Sequence, residues 1–147
     1  MKGLLLLPLT VLFFQFIGTA QCAQKSRYAI LFEVFELGIP DPNLEFEMGL
    51  VIEGKWGKIS VDRLSYWASI MKPTSLEETR IAAAYAGSKI PEVRMIAAWS
   101  VLKSFEIRRS DYPNDVTPVY AGEPLGSVKH RKFRAFFEQC LKQKGVR

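Results

Sequence analysis

Apolar positions recur along this chain with two clear periods, and each period predicts a different element. Residues 44–53 alternate strictly, with Leu44, Phe46, Met48, Leu50 and Ile52 set against Glu45, Glu47, Gly49, Val51 and Glu53. A period of two sends one row to a core and the other to solvent, which predicts a strand. Gly54 and Lys55 then turn the chain, and residues 56–59 return as a short partner strand. Residues 28–37 (YAILFEVFEL) are almost wholly apolar, which suits a buried strand or a short buried helix without separating the two. Pro40, Pro42 and Asn43 break any element between these stretches. Residues 28–59 therefore read as strand-rich, a small antiparallel meander.

Beyond residue 60 the period changes to that of a helix. Ser60 is placed to cap residues 61–72, where Leu64, Trp67, Ala68 and Met71 share one face, and Pro73 stops the run. Ser75-Leu76-Glu77-Glu78 has the spacing of a capping box, so a second helix runs from there to about residue 86, with Gly87 as its cap. Pro91 suits the first turn of a third helix over residues 91–105. Residues 106–127 hold Pro113, Pro118 and Pro124 and read as a long mobile loop. A last helix, 128–144, carries Phe133, Phe136, Phe137, Cys140 and Leu141 as a single apolar stripe, with a basic opposite face. The fold class expected is α+β: a small N-terminal antiparallel sheet, a helical hairpin over 60–105, and a C-terminal basic amphipathic helix. An all-α fold is the alternative.

The two central helices repeat one another. Glu78-Thr79-Arg80-Ile81-Ala82-Ala83-Ala84-Tyr85 aligns with Glu92-Val93-Arg94-Met95-Ile96-Ala97-Ala98-Trp99 at an offset of 14 residues, and Lys89 matches Lys103. Paired alanines let two helices approach closely, and the short break at 87–91 makes them antiparallel neighbours. The stretch from Pro91-Glu92-Val93-Arg94 through Ala97-Ala98-Trp99 to Leu102 resembles the second helix of HEAT-type repeats. The resemblance covers about residues 61–105. It implies a stacked helical hairpin that binds partner proteins by its surface rather than by catalysis. Because the offset is far shorter than the usual repeat of about 40 residues, the resemblance is to one HEAT-like hairpin and not to an array.

The N-terminus changes the setting. Met1-Lys2, the apolar run over residues 3–17, and the small-residue exit Gly18-Thr19-Ala20 read as a cleaved signal peptide over residues 1–23, leaving 24–147 as one mature domain. Cleavage after Ala20 and cleavage after Cys22 both satisfy the small-residue pattern. The run is short of the ~20 apolar residues that span a membrane, so an uncleaved anchor is the second reading. The protein is expected to be secreted or periplasmic. In such a compartment Cys22 and Cys140, the two cysteines, form a disulfide if both survive cleavage.

Charge is uneven. Residues 129–147 carry Lys129, Arg131, Lys132, Arg134, Lys142, Lys144 and Arg147 against Glu138 alone, whereas residues 24–128 hold twelve cations against fourteen carboxylates. A basic tail on a mildly acidic body points to an anionic partner surface. Lys129, Arg131, Lys132 and Arg134, with Tyr112 and Tyr120 from the preceding loop, are the candidate contact residues. His130, the single histidine, reads as part of the solvated basic face, its pKa lowered by its cationic neighbours.

Catalytic chemistry is sparse. No G-x-S-x-G, P-loop, G-x-G-x-x-G or H-E-x-x-H pattern occurs, so no catalytic residue and no cofactor is assigned. Two cysteines and one histidine fall short of the four ligands of a structural zinc site. Glu45 and Glu47 would lie about 7 Å apart on one strand face, within the ~5–9.5 Å that paired-carboxylate hydrolysis uses. The leading expectation is an exported, non-catalytic adaptor whose partner is another protein. An anionic lipid or polysaccharide surface is the second kind of partner, and export argues against nucleic acid. The alternatives are a carrier of a lipid or other apolar ligand, held between sheet and helices, and a small hydrolase using carboxylates.

Overall fold

The computed structural model describes residues 26–37 and 60–147. Among them are five α-helices: α1 (Arg27–Leu37), α2 (Val61–Ile70), α3 (Leu76–Tyr85), α4 (Pro91–Ser104) and α5 (Val128–Gln143). Two 3-10 turns, Arg109–Asp111 and Pro118–Gly122, lie between α4 and α5. No strand occurs among the described residues, so the α+β expectation is corrected to an all-helical architecture. The alternating stretch 44–53 and its partner 56–59 lie outside the described residues.

Residues 27–37 are helical for a reason that their apolar composition hides. Tyr28, Phe32 and Phe35 are the buried positions, spaced four and three apart, and Ile30 on the other side is exposed. Ser26 Oγ accepts from Ala29 N at 3.2 Å, the bond of an N-cap. The packing of α1 is aromatic. Phe32 stacks on Tyr85 of α3 at 4.9 Å, Phe35 meets Trp67 of α2 edge-on at 5.5 Å, and Tyr28 OH donates to Met71 O at 2.7 Å.

The middle helices begin where the serines place them. Ser60 Oγ accepts from Arg63 N, and Ser75 Oγ accepts from Glu78 N. The Glu78 carboxylate takes a hydrogen bond from the Thr74 hydroxyl at 3.0 Å. α3 and α4 form a helical hairpin, and α4 is the hub, packed against α1, α2, α3, α5 and the second 3-10 turn. All ten residues from Val93 to Leu102 are buried. A helix buried on every side shows no amphipathic face, and Ala97 and Ala98 are the small residues that let its neighbours close around it.

Both long helices end in the same cap. After α5, Val146 N donates to Leu141 O and Gly145 N to Lys142 O, with Gly145 at φ 73° and Val146 buried on the core. After α4, Ile107 N donates to Leu102 O and Glu106 N to Lys103 O, but the left-handed residue is Glu106 at φ 59°. A side chain there costs about 1–2 kcal/mol that glycine avoids, part of which glycine's unfolded-state entropy takes back. Glu106→Gly is therefore expected to raise stability by about 0.5–1 kcal/mol, read as a higher urea midpoint at unchanged slope. A lower midpoint would show that the Glu106 side chain contributes more than its backbone strain costs.

The connector 106–127, expected as a mobile loop, is fastened along its length. Trp99 Nε1 donates to Pro118 O at 2.9 Å, and Val116 and Ala121 are buried in the common core. Asp111 accepts from Arg108 N at 2.7 Å, closing the first 3-10 turn. Arg94, which is 2% exposed, completes the attachment. Its Nε donates to Ala121 O at 3.2 Å, and its Nη2 donates to Gly122 O at 3.2 Å and Glu123 O at 2.7 Å. Its Nη1 donates to Ser88 O at 3.0 Å and Lys89 O at 3.2 Å. One guanidinium so ties the α3–α4 turn to the connector, and burial lowers its pKa. Gly122 passes so close to Met95 that a Cβ there would press on the Met95 sulfur.

Candidate functional site

α5 docks by the stripe the sequence shows: Phe133, Phe136, Phe137, Cys140 and Leu141 are all buried. Phe133 stacks on Phe137 at 6.1 Å. Ser127 Oγ caps the helix by accepting from His130 N at 3.2 Å. With the stripe committed inward, the cations are spread over the remaining surface of the first turns, Lys129 and Lys132 toward the connector and Arg134 toward Glu138. Lys129, Arg131 and Lys132 are exposed and Arg134 is half-buried.

The four cations differ in what holds them. The Lys129 ammonium stands 5.5 Å from the Tyr120 ring centroid. Lys132 Nζ pairs with Asp115 at 3.0 Å, where both side chains are well exposed, and the pair lowers the Asp115 carboxyl pKa. Arg134 pairs with Glu138 one turn on at 2.9 Å and lies over the Phe137 ring. Among the described residues Arg131 meets no carboxylate. Exposed pairs of this kind are screened by water and salt, contribute little to stability and exchange readily for a partner's carboxylates.

The two tyrosines play different parts. Tyr120 lies half-buried beneath Lys129, in the second 3-10 turn. Tyr112 packs on Phe136 at 4.6 Å, and burial raises its phenol pKa, so it tacks the connector to α5. Three apolar residues that sequence reasoning passed over stand exposed in the adjoining stretch of chain: Val119 at 42%, Leu125 at 50% and Val128 at 59%. Val128 carried a signal, because it falls off the stripe defined by Phe133 and Phe137. The surface is thus basic, with exposed apolar residues in the adjoining stretch of chain.

His130 is not on the solvated face. It is 8% exposed, because it lies three residues before Phe133 and seven before Phe137, on the extension of the apolar stripe. Burial lowers its pKa first, and the charges of Arg94 and Arg134 add to the effect. Above the unfolded value of about 6.5 neither state is charged there. As pH falls below that, the unfolded chain takes up the proton first and stability drops, until the lower folded pKa is passed. The urea midpoint is expected to fall between pH 7 and pH 5 and to fall less in His130→Gln. Equal slopes in the two proteins would remove His130 as the source.

Cys140 is buried at 4% exposure, and burial raises its thiol pKa, with Asp111 adding to the effect. It is a free thiol among the described residues, and Cys22 lies outside them. Glu45 and Glu47 also lie outside. Among the described residues no three His, Cys, Asp or Glu side chains gather as a metal site, and no helix is long and apolar enough to cross a membrane. No protein-family model, curated protein or solved structure matches the chain.

Proposed function

We propose that this protein is an exported, non-catalytic protein-binding scaffold. Its contact surface is the N-terminal half of α5 with the 118–128 stretch, and its partner presents an acidic face with apolar side chains. One observation carries the reading: Lys129, Arg131 and Lys132 are exposed on a helix whose apolar stripe is already buried in the core, and Val119, Leu125 and Val128 are exposed in the adjoining stretch of chain. An interfacial membrane helix would need that stripe free to enter the lipid boundary. A charge-only tether would not need the exposed apolar residues. The HEAT-like α3–α4 hairpin fits the same role, as the rigid body that holds the surface.

The test uses an acidic amphipathic helical peptide and poly-glutamate as probes, with fluorescence anisotropy at low and high salt. Exposed charges are screened beyond ~10 Å at 0.1 M salt. The peptide is expected to keep part of its affinity at high salt through the apolar contacts, and poly-glutamate to lose nearly all of it. Equal loss for both would reduce the surface to a charge tether, for which an anionic lipid or polysaccharide is the better partner.

A further inference from the structure

A concavity with a volume of about 260 Å³ opens between α2, α4 and the connector. Among its lining residues Trp99, Leu102 and Ile107 are apolar and Ser65, Lys103 and Arg109 are polar; Arg109 Nη1 donates to Val116 O at 3.3 Å, and its guanidinium stands 5.8 Å from the Tyr112 ring centroid. Lys103 Nζ donates to Ser65 O at 2.8 Å, Ser65 Oγ at 2.9 Å and Ser69 Oγ at 2.7 Å. All three acceptors are neutral oxygens, so the hydrogen bonds of the ammonium are satisfied while its charge is not. Burial lowers the Lys103 pKa and nearby Lys72 lowers it further, so an arriving anion would relieve the unbalanced charge. Ser65 Oγ accepts from Lys103 and has its own proton left to donate. Among the described residues that line the cleft, Asp62 is the one carboxylate against the two cations Lys103 and Arg109.

We propose that this cleft binds a small monocarboxylate with an apolar, aromatic-sized body. The carboxylate lies at Lys103, Arg109 and the Ser65 hydroxyl, and the body lies against Trp99, Leu102 and Ile107. A single surplus positive charge matches a singly charged anion better than a phosphate dianion. The volume suits a body somewhat larger than benzene, which a cavity of about 150 Å³ holds. The inference uses no residue of α5, so it stands or falls apart from the protein-binding reading.

Calorimetric titration with phenylacetate, phenylacetamide and phenethylamine tests it, with Trp fluorescence as a second readout. Phenylacetate is expected to bind roughly tenfold or more tighter than the neutral amide, through attraction to the uncompensated Lys103 charge and a hydrogen bond donated by the Ser65 hydroxyl, and the amine weakest. Lys103→Gln should bring phenylacetate down to the level of the amide. Because Lys103 also links α2 to α4, that variant is checked by circular dichroism. Ser65→Ala, which keeps the ammonium, should weaken phenylacetate several-fold while leaving the amide nearly unchanged. The proposal is overturned if the amide binds as tightly as the acid, if neither binds at millimolar concentration, or if both variants bind phenylacetate like the parent.

Discussion

Arg94→Met is expected to lower the stability of this protein by about 3–4 kcal/mol, a large share of the ~5–15 kcal/mol that holds a domain of this size folded. The side chain donates five hydrogen bonds, all to main-chain carbonyls, three of them on residues 121–123. Methionine keeps the apolar stem and removes every donor. The carbonyls of the connector then lose their partner; the buried one of Ala121 is left bare at about 1–3 kcal/mol, while the part-buried ones of Gly122 and Glu123 are partly rehydrated. Removing a buried cation returns its desolvation cost, so the net loss is well below the sum. Arg94→Lys retains the charge but not the planar fork that reaches both chain segments, and should recover less than half of the loss.

The matched control is Arg80→Met. Arg80 has the same place in the sequence repeat as Arg94 but is exposed, so its replacement should shift stability by under about 0.5 kcal/mol. Urea unfolding followed by circular dichroism compares the two. Equal shifts would mean that Arg94 does not act as the clamp described.

The second large effect is on binding. Changing Lys129, Arg131, Lys132 and Arg134 together to Ser is expected to weaken the acidic amphipathic peptide about a hundredfold at low salt. Four exposed charge contacts at ~0.5–1 kcal/mol each sum to roughly that factor. Stability should stay within about 1 kcal/mol of the parent. Among the described residues the ion pairs lost are the exposed Lys132–Asp115 contact and the partly exposed Arg134–Glu138 one, and removing cations from the first turns of α5 relieves an unfavourable dipole interaction. Unchanged peptide affinity in the folded variant would refute this contact surface.

Helix starts were legible because each rests on a local device. Ser60, Ser75 and Ser127 each cap the helix predicted to follow, and Pro91 opens α4. The stripe of α5 was legible because one face is apolar and the other charged. Residues 28–37 were not, since apolar residues on nearly every side leave no clear period to separate strand from helix. The same masking hid the role of α4. The repeat made Arg80 and Arg94 look equivalent, but a helix at the centre of the fold buries positions that its outer counterpart exposes. The connector looked loose because its fastenings, Trp99 to Pro118 and Arg94 to residues 121–123, link residues 19 to 29 positions apart. His130 was misplaced by its charged neighbours in sequence, although the spacing to Phe133 and Phe137 put it on the buried face. The basic character of the proposed contact surface was legible as charge, and the exposed Val119, Leu125 and Val128 were not.

Amide chemical-shift mapping with the acidic amphipathic peptide tests the central claim most directly, because it reads location as well as binding. Shifts gathered on residues 118–134, saturating with one affinity and absent in the quadruple Ser variant, are the predicted result. Shifts centred on α1, on the α3–α4 turn or on the Lys103 cleft, or none at all at saturating peptide, would contradict it.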